Sequence, residues 1–260
     1  MSKIIKVLCV GDVVDTAGCE FLTNRLSAYK RENSIDVCIV NGENSARGNG
    51  ITPKSCEQLF IAGADFVTGG NHSLKRREFY DFLDSREDVI RPFNYDNAPG
   101  RGFGIIDKGA YRIGVVNLVG RVWLDGFSNP FEKAEEAVEI LKKEVNMIFV
   151  DFHAESTSEK KAMGYFLDGK VSAVYGTHTH VQTTDCTVLK GGTGYITDLG
   201  MTGPEESVLG VKKEIIIEKF SKGFAPMFET GEGASFMQGC IFTVDRASGK
   251  TLFAEAVTLR

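Results

Sequence analysis

The chain has no apolar run near the roughly 18–20 residues that a membrane span needs, and no signal-peptide layout ahead of its first apolar segment. These absences point to a cytoplasmic protein with no membrane partner. Basic excess is missing too: 30 Lys and Arg against 35 Asp and Glu leave a net charge of -5, which argues against a broad electrostatic grip on nucleic acid. Proline is scarce, with 6 residues, and no Ser/Gly-rich or charge-block linker interrupts the pattern, so the 260 residues read as one domain, 1–260. Cys9, Cys19, Cys38, Cys56, Cys186 and Cys240 show no CxxC or zinc-ribbon spacing. They read as reduced thiols, with Cys9 and Cys38 acting as small hydrophobes inside apolar runs. Histidine is scarcer still, with 4 residues, yet all of them stand in short polar motifs beside apolar runs: Asn71-His72, Asp151-Phe152-His153 and His178-Thr179-His180. Histidines scattered for packing would not gather in this way.

What is present is an alternation of strand and helix. Residues 3–10, 36–40 and 65–68 are apolar, strand-like runs. Helical spacing follows each: Leu22, Leu26 and Tyr29; then Cys56, Leu59 and Phe60 behind a Thr52-Pro53 start; then Phe79, Phe82 and Leu83. Three such units predict parallel βαβ crossovers. Residues 102–106 and 111–118 predict an antiparallel hairpin joining the sheet. Helices are predicted over 130–143, 158–167 and 213–220, and strands at 146–152, 172–175, 186–189, 195–197, 240–244 and 252–259.

Possible metal ligands follow the early runs at once: Asp12, then Asn41-Gly42-Glu43-Asn44, then Asn71-His72. The C-terminal strand ends of an α/β sheet form its ligand-binding edge, so these side chains are expected to converge, with His153, His178 and His180 joining them. Alternation along an extended segment puts His178 and His180 on one side. Two carboxylates, two amide oxygens and at least three imidazoles exceed the roughly four ligands of one zinc-like ion and suit two. A carboxylate such as Glu43 can put one oxygen on each of two cations about 3.5–4 Å apart. Imidazole and oxygen ligands without thiolates suit Fe, Mn, Zn or Co better than Cu(I).

The blocks Gly11-Asp12, Asn41-Gly42-Glu43-Asn44, Gly70-Asn71-His72, Asp151-Phe152-His153 and Gly176-Thr177-His178-Thr179-His180 resemble, in this order, those of calcineurin-like metallophosphoesterases. The resemblance is closest to the bacterial YmdB-like branch and runs over essentially the whole chain, with that branch's characteristic stretches at 41–50, 152–159, 176–183 and 196–204. The commoner superfamily pattern opens with Asp-x-His and supplies a bridging Asp; here Val13 and Val14 follow Asp12, and Glu43 takes the bridging place, as in the YmdB-like branch. The resemblance implies an α/β fold, a four-layer α-β-β-α sandwich with two mixed β-sheets. It implies two divalent or trivalent metal ions, Fe or Mn foremost and Zn or Co otherwise, one held by Asp12, Glu43, Asn44 and His180, the other by Glu43, Asn71, His153 and His178. His72 is left free to donate a proton to a leaving oxygen.

The implied activity is a metal-dependent phosphodiesterase acting on a small phosphodiester, 2′,3′- or 3′,5′-cyclic nucleotides, through hydroxide formed from a water between the ions. The alternatives are a phosphomonoesterase or 5′-nucleotidase-like enzyme, and a nonenzymatic regulator that binds a nucleotide or a protein and keeps the metals. A free His72 argues against the regulator, since a binding module has no need of an acid beside the ions. Symmetry base rates favour a homo-oligomer of unspecified order.

Several residues have plainer readings. Asp12 as a turn residue and Asn44 as another are set against ligation, which the constellation favours, while Asn41 reads as structural. Gly48-Asn49-Gly50 lacks the Lys and Ser/Thr of a P-loop and reads as a flexible loop at the rim. Lys75, Arg76 and Arg77 read as a solvated helix turn rather than a steering patch. Asp151 and Glu155 are placed to orient His153, or Glu155 and Glu159 to cap the next helix. Trp123 and Phe127 read as packing rather than as a base-stacking pair.

Overall fold

The computed structural model describes residues 3–124, 128–224 and 227–260, so Phe127 lies outside the described residues. Along the first third the order is β1 (Ile4–Val10), β2 (Asp12–Val13), α1 (Asp15–Glu32), β3 (Val37–Asn41), α2 (Pro53–Ala62), β4 (Phe66–Thr68) and α3 (Tyr80–Ser85). Local chemistry sets these ends. Thr52 accepts from the Ser55 amide while the Ser55 side chain accepts from the Thr52 amide, Pro53 fills the first turn, and Gly63 closes α2 at a φ of 117°, a left-handed stop that favours glycine. Cys19, Leu22 and Leu26 line the buried side of α1. Strands β1, β3 and β4 pair in parallel, as the repeated strand-helix spacing predicts.

The hairpin is there, β5 (Phe103–Asp107) with β6 (Arg112–Val119), but it does not extend that first sheet. It founds a second one, because the chain then continues through α4 (Pro130–Leu141), β7 (Met147–His153), α5 (Thr157–Phe166) and β8 (Ala173–Thr177) as parallel crossovers onto β6. The remaining elements are β9 (Thr187–Val188), β10 (Gly194–Ile196), β11 (Met201–Pro204), α6 (Lys213–Lys222), β12 (Ser235–Asp245) and β13 (Thr251–Leu259). One sheet runs β2-β11-β12-β1-β3-β4, with β13 beside β12, and the other β5-β6-β7-β8-β10-β9; both mix parallel and antiparallel pairs. The short strands β2 and β11 had no periodicity to announce them.

Three apolar layers separate the elements. Leu8, Val10 and Val40 pack under α1 and α2. Val7, Ile39, Val115, Phe149, Tyr175 and Phe242 fill the space between the sheets. Val116, Val150, Val138 and Met163 join the second sheet to α4 and α5. The result is the four-layer α-β-β-α arrangement with two mixed sheets. Among the described residues no helix is long and apolar enough to cross a membrane.

Beyond β1 the backbone passes so close to the strand-end loop that a Cβ on Gly11 would stand 2.1 Å from the Gly200 carbonyl oxygen. Since that obstacle is backbone, Gly11→Ala forces apart the chain segments that lead into the β2–β11 pair. The expected cost is about 1–3 kcal/mol, read as a fall of several degrees in Tm, and an unchanged melting curve contradicts the close approach.

Candidate metal centre

The parallel strands of both sheets end at one edge, and the polar residues at those ends meet there. Asp151, fully buried on β7, accepts hydrogen bonds from Asn41 at the end of β3 (3.0 Å), Thr68 at the end of β4 (2.5 Å) and Thr177 at the end of β8 (2.7 Å). One carboxylate thus ties the ends of the two sheets. Burial raises its pKa to about 6, and the donors, Thr68 first, recover only part of that rise.

This clamp decides how His153 presents itself. The Thr177 hydroxyl has one hydrogen, spent on Asp151, so it accepts from the Nδ1–H of His153 at 2.9 Å. The Nε2 lone pair of His153 is left facing Asn71 Oδ1 (2.9 Å), His178 Nδ1 (3.1 Å) and Glu43 Oε1 (3.3 Å). The other two histidines follow the same rule. His178 Nε2 lies 3.0 Å from the Glu155 carboxylate, which accepts its N–H and leaves Nδ1 turned inward. His180 gives its Nδ1 proton to the Leu209 carbonyl at 3.1 Å, turning Nε2 toward Asn44 (3.4 Å) and Asp12 (3.7 Å). Three inward lone pairs, each with its far nitrogen held by an acceptor, is how proteins orient imidazole ligands.

The carboxylates complete the set. Glu43 is buried, accepting at Oε1 from the Asn44 amide (2.8 Å) and at Oε2 from the His72 backbone (2.8 Å). It is packed so closely that a Cβ on Gly70 would stand 2.3 Å from Oε2 and 2.5 Å from His153. Asp12 is buried with Oδ2 on the His178 amide at 3.0 Å, while its Oδ1 has no hydrogen-bond partner. An ionised, orphaned oxygen beside inward-facing imidazoles calls for a cation. Burial alone would raise both carboxyl groups, but His180 and His153 draw Asp12 below the usual range, and His153 and His72 draw Glu43 well below it. Burial likewise opposes charging His153, yet Glu43, then Asp12, lifts it to about 9; burial and the neighbouring His153 push His178 down to about 4. His153 therefore holds a proton on Nε2, aimed at His178 Nδ1 and Glu43 Oε1, and a metal ion would take that proton's place.

Among the described residues Glu43, His153 and His178 bring ligand atoms within 4.8 Å of one another. Around them the contacts fall into two overlapping groups, Asp12, Asn44 and His180 on one side and Asn71, His153 and His178 on the other, with Glu43 touching both. Asn71 points its oxygen inward. Asn44 faces Glu43 and His180 with its amide nitrogen and His72 Nδ1 with its oxygen (3.0 Å), so ligation through that oxygen requires the amide to turn over. His72 stands at the mouth, its Nδ1 also 3.3 Å from Glu43 Oε1.

Some readings from sequence need correction. His178 and His180 do not alternate along a strand: β8 ends at Thr177, and both histidines adopt left-handed φ, 101° and 62°. Their turn is held by Asp198, which accepts from the Thr179 amide (3.2 Å) and from buried Lys160 (2.6 Å). Trp123 is not packed but 85% exposed. The loop at Gly48, Asn49 and Gly50 is bonded to itself, and Arg76 grips the carbonyls of Arg47 and Asn49 (2.6 and 3.1 Å), so it is neither loose nor next to a merely solvated helix turn. Thr177, Thr68 and Asp198 carried no signal in the sequence, since their roles arise across strands.

A family model described as "YmdB-like protein" matches residues 8–257. A "2′,3′-cyclic-nucleotide 2′-phosphodiesterase" from Bacillus subtilis is 39% identical over 256 residues, spanning 98% of this chain and 97% of its own. Two solved structures superpose with TM-scores of 0.91: a hypothetical protein from Thermus thermophilus, 35% identical and covering 98% of each chain, and a novel phosphatase from Mycoplasma pneumoniae, 34% identical and covering 100% and 94%.

Thr177 is testable apart from turnover. Thr177→Val removes the acceptor for His153 Nδ1 while keeping the shape of the side chain, and Thr177→Ser keeps the acceptor. Calorimetric titration of Mn(II) or Zn(II) into metal-stripped protein is expected to show about 10–100-fold weaker binding for the Val variant and near-native binding for the Ser variant. Equal affinity in all three proteins contradicts the assignment.

Proposed function

The chain belongs to the YmdB-like family and is a phosphoester hydrolase, and from that premise we propose that it is a phosphodiesterase opening 2′,3′- or 3′,5′-cyclic nucleotides at a two-metal centre. The observation that carries the reading is the pair of overlapping ligand groups sharing Glu43, with Asp12 Oδ1 left buried and unpartnered. In this reading Asp12, Glu43, Asn44 and His180 hold one ion and Glu43, Asn71, His153 and His178 the other. The imidazole and oxygen donors suit Fe or Mn first, with Zn or Co as alternatives. When bound, the ions supply positive charge for the phosphate oxygens and a lowered pKa for the attacking water.

The chain's own residues do the rest. His72 is set apart from the inward-facing imidazoles: its backbone N–H is bonded to Glu43, and the amide turn that offers the Asn44 oxygen to an ion brings the Asn44 N–H to Nδ1, which then accepts and leaves the ring proton on Nε2, facing away from the Glu43–Asn44 pair. A proton held there reaches a leaving ribose oxygen without displacing a ligand. The buried floor of Asp151, Thr68 and Thr177 keeps His153 from taking up that role, because its Nδ1 proton is committed to Thr177.

Manganese-loaded protein is expected to cleave bis-p-nitrophenyl phosphate and to open 2′,3′-cyclic AMP, with loss of activity in a chelator and recovery on adding the ion back. His72→Ala retains the metal and loses about 10²–10⁴-fold in turnover, whereas Glu43→Ala loses metal and activity together. Phosphate release from nucleoside monophosphates without ring opening would replace this reading with the phosphomonoesterase, and full activity in His72→Ala would remove the proton donor.

A further inference from the structure

All six cysteines are free thiols, five of them buried and Cys186 half-buried. Two of them meet: the Cys186 and Cys240 sulfurs lie 3.4 Å apart. The contact joins the two sheets, since Cys186 immediately precedes β9 at the edge of the second sheet and Cys240 stands within β12 of the first. Both pack in the apolar layer between the sheets. Neither serves the metal centre, and the pair makes no thiolate metal site of its own: among the described residues no third His, Cys, Asp or Glu ligand atom joins them within 4.8 Å. The two sulfurs are also unlike. A hydrogen bond from the Cys240 thiol, helped by the Ala256 amide, draws the Cys186 thiol down against its partial burial, while burial first and Cys186 second push Cys240 well above the usual thiol range. That difference marks Cys186 as the nucleophile and Cys240 as the thiol that resolves it.

We propose that Cys186 and Cys240 form a reversible disulfide that staples the two sheets when the protein meets a peroxide. The Cys186 thiolate attacks one peroxide oxygen, the O–O bond breaks, and the departing hydroxide takes up a proton as water, leaving Cys186 as a sulfenic acid. The Cys240 sulfur then attacks the Cys186 sulfur, the S–O bond breaks, and the departing hydroxide leaves as water with the Cys240 proton. Two thiols are thereby oxidised by two electrons and one peroxide is reduced to two waters. Little has to move. Bonded sulfurs stand about 2.05 Å apart, so the pair closes by about 1.4 Å from its 3.4 Å contact. The segment that carries Cys186 is already moored to both sheets: Gln182 donates to the Gly239 carbonyl beside Cys240 (2.9 Å), and Asp185 accepts from the Thr197 amide (3.1 Å) and hydroxyl (2.6 Å). The bridge therefore reinforces a contact the fold already makes and leaves His178 and His180, upstream of Gln182, in place. It joins residues 54 positions apart and encloses the whole excursion through α6, so its stabilisation comes chiefly from restricting the unfolded chain.

Thiol counting and melting test this without reference to activity. Purified protein treated with a small excess of hydrogen peroxide, then denatured and titrated with a thiol reagent, is expected to lose two of its six free thiols, and digestion without reductant to yield one crosslinked peptide, Cys186 to Cys240. The Tm is expected to rise by about 5–10 °C on oxidation and to fall back on adding dithiothreitol. Cys186→Ala, folded by circular dichroism, is expected to lose both the crosslink and the peroxide-dependent rise. The peptide map of the wild-type protein decides the pairing whether or not that variant folds. Six thiols surviving peroxide overturn the proposal, as does a bridge at another pair, Cys9 with Cys240 across β1 and β12 being the neighbouring alternative, or a bridge between two chains. A Cys186–Cys240 bridge that leaves Tm unchanged overturns the staple.

Discussion

A charged carboxylate buried between two β-sheets is the constraint on which the rest of this structure depends. Burying Asp151 is costly, as its raised pKa records, and an apolar side chain there would extend the inter-sheet core at no such cost. What the carboxylate adds is direction. Its three donors come from β3, β4 and β8, so each strand end has one position at which its hydrogen bond is made. The loops that begin at those ends carry Glu43 and Asn44, Asn71, and His178 and His180. A shift of one strand relative to the others would break a bond to a buried charge, which is a larger penalty than losing an exposed one.

The imidazoles show the same economy of protons. Each has one nitrogen fixed by an acceptor outside the centre, Thr177, Glu155 or the Leu209 carbonyl, so the other nitrogen is turned into it. With carboxylates held ionised beside them, the centre concentrates negative charge and inward ring nitrogens in a form that suits a cation. Two of these histidines sit in backbone conformations that side chains with a Cβ rarely adopt. The strain persists because the turn between them is bonded to the buried Lys160–Asp198 pair, whose own cost is borne by the surrounding fold.

How much of this could be read in advance follows from where the information lies. Strand and helix order is legible because apolar period is written locally, as in 3–10 or around Leu22 and Leu26, and the Thr52-Pro53 start is a one-turn signal. The ligand candidates were legible because each follows an apolar run directly. Thr177 and Thr68 were not, because a threonine at a strand end is unremarkable until the strand beside it is known. Strands β2 and β11 are too short to show a period, and they exist only as each other's partners. The hairpin at β5 and β6 could be recognised as a hairpin, but its assignment to a second sheet depended on the crossovers that follow it. Trp123 was read as packing from the habit of aromatic residues, and its exposure shows how little that habit constrains a loop.

The centre therefore has a floor and a wall made by different means. The floor is built from strand ends locked by buried hydrogen bonds, and nothing in it can change without affecting both sheets. The wall is built from loops that rest on the floor at a few points: the Arg76-pinned turn at 48–50, the Leu209 carbonyl on His180, and Thr230 on Asp15. These elements bury little apolar surface of their own, and α6 has no fully buried residue, so substitutions in them are cheap in stability. Chemistry on a phosphoester is invariant and belongs to the floor. Choice among phosphoesters depends on what surrounds the phosphate, and the substitutions the fold tolerates most cheaply are those of the wall.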